Sequence, residues 1–159
     1  MMSVAHDLLN LIEQSRLAVW TRESPSIWAY PTILTLHTYG LAALVGSNLV
    51  IDLRILGNAP AVPLERLSTL YWWMWTGLVI NTTTGTLLFA ADASAKSTQK
   101  VFWLKLGFIA SALIVSLLLR RDVVRAATAH AAGSTQRLAI VSIALWVAAI
   151  VAGRLMAYT

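Results

Sequence analysis

His37 is the one histidine inside any of the four long apolar stretches of this 159-residue chain, and an ionisable group set within a bilayer carries a functional expectation by default. Asn81, Lys105 and Arg154 lie in the other stretches, and counting along the chain puts them on the same side of a membrane as His37. His37 follows Tyr30 by seven residues and Asn81 precedes Phe89 by eight. Both therefore lie roughly 10–12 Å below the nearer membrane surface at the rise of a helix. Lys105, two residues past Trp103, and Arg154, four before Tyr158, are shallower.

Three chemistries fit a histidine beneath two cations. In a hydrogen-bonded network, His37 bonds to Asn81 or to Thr82, Thr83 and Thr84 while the cations snorkel to headgroups. In a haem b site, His37 is the axial ligand and Lys105 and Arg154 hold the propionates. In a proton or anion path, the same polar residues line the route. The haem reading needs a second strong ligand, and no other span supplies a histidine. Met74 lies at the far end of its helix and Met156 near the surface. The iron would then be five-coordinate or would borrow a ligand from another chain or from His6; His130 belongs to the opposite side. Copper has still less support, because no Met/His cluster is present.

Two further positions draw notice. Trp146 falls near the middle of the fourth stretch, where its indole N–H needs a partner from the bundle or from a bound group. Ordinary core or lipid contact is the plainer account. Asp52 lies near the C-terminal end of the first stretch, where a carboxylate opposes the helix dipole. It should form a structural ion pair with Arg120 or Arg121, since Arg54 points off the same face.

Other chemistries are excluded. The absence of cysteine removes disulfides, thiolate metal sites and thiol catalysis. No phosphate-binding glycine loop, zinc-type His/Glu spacing or nucleophile elbow occurs, so no enzyme activity is expected beyond electron transfer. The net charge of +5 is spread through loops, which fits positive loops and anionic membrane lipids and not nucleic acid.

The elements that position these residues follow from composition. The chain is 58% hydrophobic and 12% charged, about half the usual charge of a soluble domain. The expected spans are about 27–56, 70–91, 101–119 and 138–158, each near the ~20 residues that cross a bilayer. Gly57, Asn58, Pro60 and Pro63 stop the first. Short connections favour an all-α, integral membrane, up-and-down four-helix bundle over residues 25–159. Residues 1–24 read as an interfacial amphipathic helix, with Ala5, Leu8, Leu9 and Ile12 on one face; no cleavable signal peptide is evident there. Trp20, Trp28, Tyr30, Trp103 and Tyr158 would form one aromatic belt, and Trp72, Trp73 and Trp75 the other. Arg120–Arg137 is the densest basic cluster, which places it in the cytoplasm and both termini in the periplasm. Small and polar residues share one stripe in the first span (His37, Gly40, Leu44, Ser47, Asn48, Asp52) and one in the second (Gly77, Asn81, Thr84, Gly85, Leu88). Such stripes allow close helix approach, and a homo-oligomer is expected on the same ground.

The string from Tyr30 to Gly57, YPTILTLHTYGLAALVGSNLVIDLRILG, resembles a bacterial family of unknown function made of short four-span inner-membrane proteins. The likeness continues through TGL (76–78), TTTGTLLF (82–89), FWLKL (102–106) and the closing LW…GRLMAY (145–158). Its shared signature would be His37, Gly40, Gly46, Asp52, Arg54, Gly85, Lys105, Gly153 and Arg154. More loosely, the chain is similar to four-helix membrane cytochromes and copper-resistance membrane proteins with histidine in an early helix. From the cytochromes it departs in lacking the partner histidines. The leading expectation is a small membrane haem b electron-transfer subunit with a periplasmic or membrane redox partner. Its cofactor-binding residues would be His37, Asn81, Lys105, Arg154 and Trp146. The alternative is a non-redox assembly protein or a small ion- or proton-conducting protein built on the same network.

Overall fold

The apolar stretches fold as helices in the computed structural model, which describes residues 2–63, 66–125 and 133–158. Seven helices occur among them and no strand. They are α1 (Met2–Glu13), α2 (Arg16–Glu23), α3 (Tyr30–Ile55), α4 (Leu67–Ala90), α5 (Ala93–Thr98), α6 (Lys100–Arg125) and α7 (Gly133–Leu155). Among the described residues three helices are long and apolar enough to cross a membrane: α3, α6 over Lys100–Arg120, and α7. They mark the chain as a membrane protein. The fourth expected span, α4, has 24 residues, or about 36 Å at 1.5 Å per residue. Asn81, its threonines and its tryptophans leave it less apolar than the other three.

Two compact units divide the chain, and α3 and α4 contribute to both. The first holds residues 1–44 and 75–99. Here the N-terminal segment is two helices where one was expected. Ser15 interrupts it because its Oγ accepts from Ala18 N at 3.3 Å and caps α2, a role serine fills better than a helix interior. The polar stretch after Asp92 is mostly the short helix α5. Asp92 makes no side-chain cap to it; Glu13 of α1 accepts from Ser94 N at 2.6 Å instead. Arg22 of α2 donates to Ala91 O, one of the carbonyls left over where α4 ends, at 3.1 Å. Glu23 bonds the same guanidinium at 2.8 Å and raises its pKa above the usual arginine value.

Within this unit α3 and α4 run antiparallel, with His37 opposite Gly85, and Gly40 and Leu44 opposite Gly77. Glycine sets the spacing. A Cβ on Gly77 would lie 2.5 Å from Leu44 N and 2.7 Å from Gly40 O, and one on Gly40 would lie 2.9 Å from Asn81 N. Backbone meets backbone there, the packing that small residues permit between membrane helices.

The second unit holds residues 45–74 and 100–159. Here α3 ends in a Schellman turn: Gly57 N donates to Arg54 O and Asn58 N to Leu53 O, with Gly57 at φ 83°. This is the stop that Gly57 and Asn58 implied. Arg54 Nε donates to Val62 O at 2.8 Å and holds the following loop. Pairing of α6 with α7 dominates the unit. The buried face of α7 is Thr135, Ala139, Ser142, Trp146, Ala149 and Ala152. Its exposed positions include Ile140, Val141, Val147, Ile150 and Val151. Small and polar residues inside with large aliphatic ones outside is the inverse of a soluble helix, and it suits lipid.

Candidate functional sites

The first unit brings His37 and Asn81 together, as their counted depths implied. Two turns of α3 and α4 face each other across the glycine contacts, which carries the imidazole onto α4's backbone. A Cβ on Gly85 would lie 3.1 Å from His37 Cε1, so a larger residue there would push the ring by a few tenths of an ångström. His37 Nδ1 lies 3.0 Å from Thr84 Oγ1. Asn81 Nδ2 donates to His37 O at 2.9 Å and lies 3.5 Å from Nε2. Thr84 and Asn81 are both buried, so this is an interhelical polar contact of the kind that fixes helix register. Thr82, named beside Thr84 in the sequence reading, instead supplies the carbonyl to which Thr86 Oγ1 donates at 2.9 Å.

Lys105 and Arg154 belong to the second unit, and both bear on the C-terminal part of α7. The Lys105 stem runs past Gly153, where a Cβ would lie 3.5 Å from Lys105 Cε. Arg154 is exposed and its Cζ sits 5.7 Å from the Tyr158 ring centre. The exposed Arg154 suits a cation that lays its stem along apolar surface and keeps its head toward water.

The second unit has a polar cluster of its own, centred on Asn48. Its Nδ2 donates to Asp52 Oδ2 at 2.7 Å and to Ser142 Oγ at 2.9 Å, while Ser116 Oγ lies 2.6 Å from its Oδ1. One amide thus ties α3 to α6 and α7. Asp52 is fully buried, and among the described side chains it bonds an amide and not the Arg120 guanidinium. The donor is Asn48, one turn earlier on the same helix and always within reach. Arg120 is exposed and stacks instead over Tyr71, 5.5 Å from its ring centre, where it keeps its hydration; the Arg121 side chain lies outside the described ones. Trp146 is buried as its mid-span position implied, at 2% exposure. Among the described residues, buried polar atoms without a hydrogen-bond partner are Asp52 Oδ1, Tyr71 Oη and Trp146 Nε1 in this unit, and Thr76 Oγ1, Ser94 Oγ and Gln99 Oε1 in the first.

The sequence pattern of a family described as a family of unknown function (DUF6644) matches residues 10–159. The chain belongs to this family. No curated protein and no solved structure matches it. Within this DUF6644 chain the match takes in α2 to α7 and both polar clusters, and it assigns no chemistry to either. Of the resemblance's signature positions, Gly40 and Gly85 stand at close helix contacts and Gly46 faces open space.

Sequence reasoning found Asn48 and Asp52 on one stripe and missed Ser116 and Ser142. The available signal was a serine within each of two aliphatic runs, 112–119 and 138–145, at positions that share a face with buried alanines. No group of three or more His, Cys, Asp or Glu able to hold a metal ion occurs among the described residues.

Proposed function

We propose that the chain is a four-span protein of the bacterial inner membrane that conducts protons, with His37 the group that takes them up and releases them. The fourth span is α4. Its Asn81 and Thr84 turn toward α3, and Thr86 bonds its own helix, so much of the polarity that lowers its hydropathy need not meet lipid. Both termini face the periplasm, and the bundle assembles as a homo-oligomer.

The supporting observation is the state in which His37 is held. Thr84 Oγ1 lies 2.6 Å from Ile80 O and gives its single proton to the backbone. It therefore accepts from His37 Nδ1, and the neutral ring carries its proton there. Nε2 is left as the basic atom, on the Asn81 side. A proton arriving at Nε2 sets a donor against the Asn81 amide N–H group, so the amide must turn to offer its oxygen. Each uptake and release thus moves one side chain at a glycine-lined helix contact. A hydroxyl and an amide orient an imidazole without fixing its charge.

A haem b reading is favoured by the same tautomer, since a metal-bound histidine donates its other ring N–H to a neighbour. His37 would ligate iron through Nε2, and the haem would supply electron transfer. Asn81 would have to leave Nε2 first.

Two measurements separate these readings. Reconstituted protein should carry a proton flux that His37→Ala abolishes and Asn81→Leu reduces severalfold; an equal flux in His37→Ala rejects the proton reading. Protein expressed with ample haem and purified colourless rejects the haem reading, whereas a Soret band lost in His37→Ala would establish it.

A further inference from the structure

Asp52 of α3 has 0% exposure, and among the described side chains it forms no ion pair. Its Oδ2 accepts from Asn48 Nδ2 at 2.7 Å, whereas Oδ1 has no hydrogen-bond partner. An ionised carboxyl has about four lone-pair sites to satisfy. Here one amide N–H and the Ser142 hydroxyl are the donors within reach. A buried charge is kept only where a counter-charge and further hydrogen bonds offset its lost hydration. Without them the group takes up a proton and becomes neutral.

The elements packed around Asp52 carry no buried cation among the described side chains. The buried face of α7 holds only alanines, Thr135, Ser142 and Trp146. On α6, Ala112, Ser116 and Leu119 are buried, and Arg120 is exposed, stacked over Tyr71. On α4, Tyr71 lies within electrostatic range of Asp52, and its own hydroxyl is buried without a partner. Arg54, two residues along α3, points off Asp52's face and donates to Val62 O. The side chains of residues 121–132 lie outside the described ones. A metal cation would need several oxygens turned to one point, and Asn48 instead turns its N–H group toward Asp52 and Ser142.

We propose that Asp52 is a proton-binding site, with the proton at Oδ1 while Oδ2 keeps the Asn48 N–H. Uptake leaves the hub of α3, α6 and α7 uncharged. Release puts a negative charge on a joint whose one amide also contacts Ser116 and Ser142, so proton occupancy acts on all three helices. The site shares no residue with the His37 contact and does not rest on its proton chemistry.

The test is infrared spectroscopy of the full chain in lipid nanodiscs, titrated with pH. At neutral pH the protein should show the C=O stretch of a protonated carboxyl, which carboxyl-labelled aspartate shifts and Asp52→Asn removes. Because Asp52→Asn could disturb the hub, Asp52→Glu provides a second arm: it keeps an acid there, and in aspartate-labelled protein the band should return to its unlabelled position. Alkaline titration should convert the wild-type band to that of a carboxylate. No protonated-carboxyl band at neutral pH would overturn the proposal in favour of an ion pair. A band that persists in Asp52→Asn, or that survives every pH at which the chain stays folded, would also overturn it. A final arm compares sodium chloride with choline chloride by melting temperature, since a ligand of the folded state raises it. Equal melting in the two salts is expected; a rise with sodium that Asp52→Asn loses would overturn the proposal in favour of a metal-cation site.

Discussion

Around His37 the polar atoms of two helices answer one another, whereas around Asp52 the same kind of residues leave buried atoms over. The first cluster spans a contact where glycines bring α3 and α4 backbone to backbone, so short side chains reach across without strain. The second joins three helices through one amide. That amide has two N–H groups and one oxygen, too few to satisfy Asp52, Ser116 and Ser142 in full. Close approach yields a clasp between two helices, and one shared amide yields a hub among three.

Substitutions can break each side of this contrast. Gly77→Val should be the most damaging, because its Cβ would meet the backbone of Leu44 and Gly40 and nothing flexible can yield. A loss of about 3 kcal/mol or more is expected from such overpacking, read as a collapse of the melting transition in nanodiscs. Asn48→Leu comes next. It removes the amide that donates to Asp52 and to Ser142, at a cost of about 2–3 kcal/mol. The double variant Asn48→Leu/Asp52→Leu should melt higher than the single one, since both polar partners are then gone; additive losses would show that the two do not act as a pair.

Thr84→Val removes the acceptor from His37 Nδ1 and should cost about 1 kcal/mol. It should also release the ring to its other tautomer, visible in nitrogen chemical shifts. A tautomer unchanged in Thr84→Val would show that Thr84 does not set it. Smallest is Ser15→Ala, which deletes the cap of α2 for about 0.5–1 kcal/mol and leaves both clusters as they are. A changed proton flux in that variant would mean the N-terminal helices take part in function.

Much of this was legible in the sequence where one physical rule dominates. Long apolar runs announced α3, α6 and α7, and Gly57–Asn58 announced the turn that ends α3, because φ near 83° is open to glycine and to little else. His37 and Asn81 met because depth on two antiparallel helices can be counted. Competition between partners was not legible. The Asn48 amide, one turn away on the same helix, was not weighed as a partner for Asp52, nor the Tyr71 ring as one for Arg120. The break at Ser15 and the helix within the polar loop depend on a few tenths of a kilocalorie per residue, which periodicity does not weigh.

The central claim is that His37 is held by Thr84 with Nε2 as its protonatable atom. Nitrogen NMR of histidine-labelled protein in lipid bilayers, with His37→Ala as the assignment control, tests it most directly. The account predicts a neutral ring protonated at Nδ1 that gains a second proton at Nε2 over the pH range in which proton flux rises. A neutral ring protonated at Nε2, or a ring whose protonation does not change across that range, would contradict it.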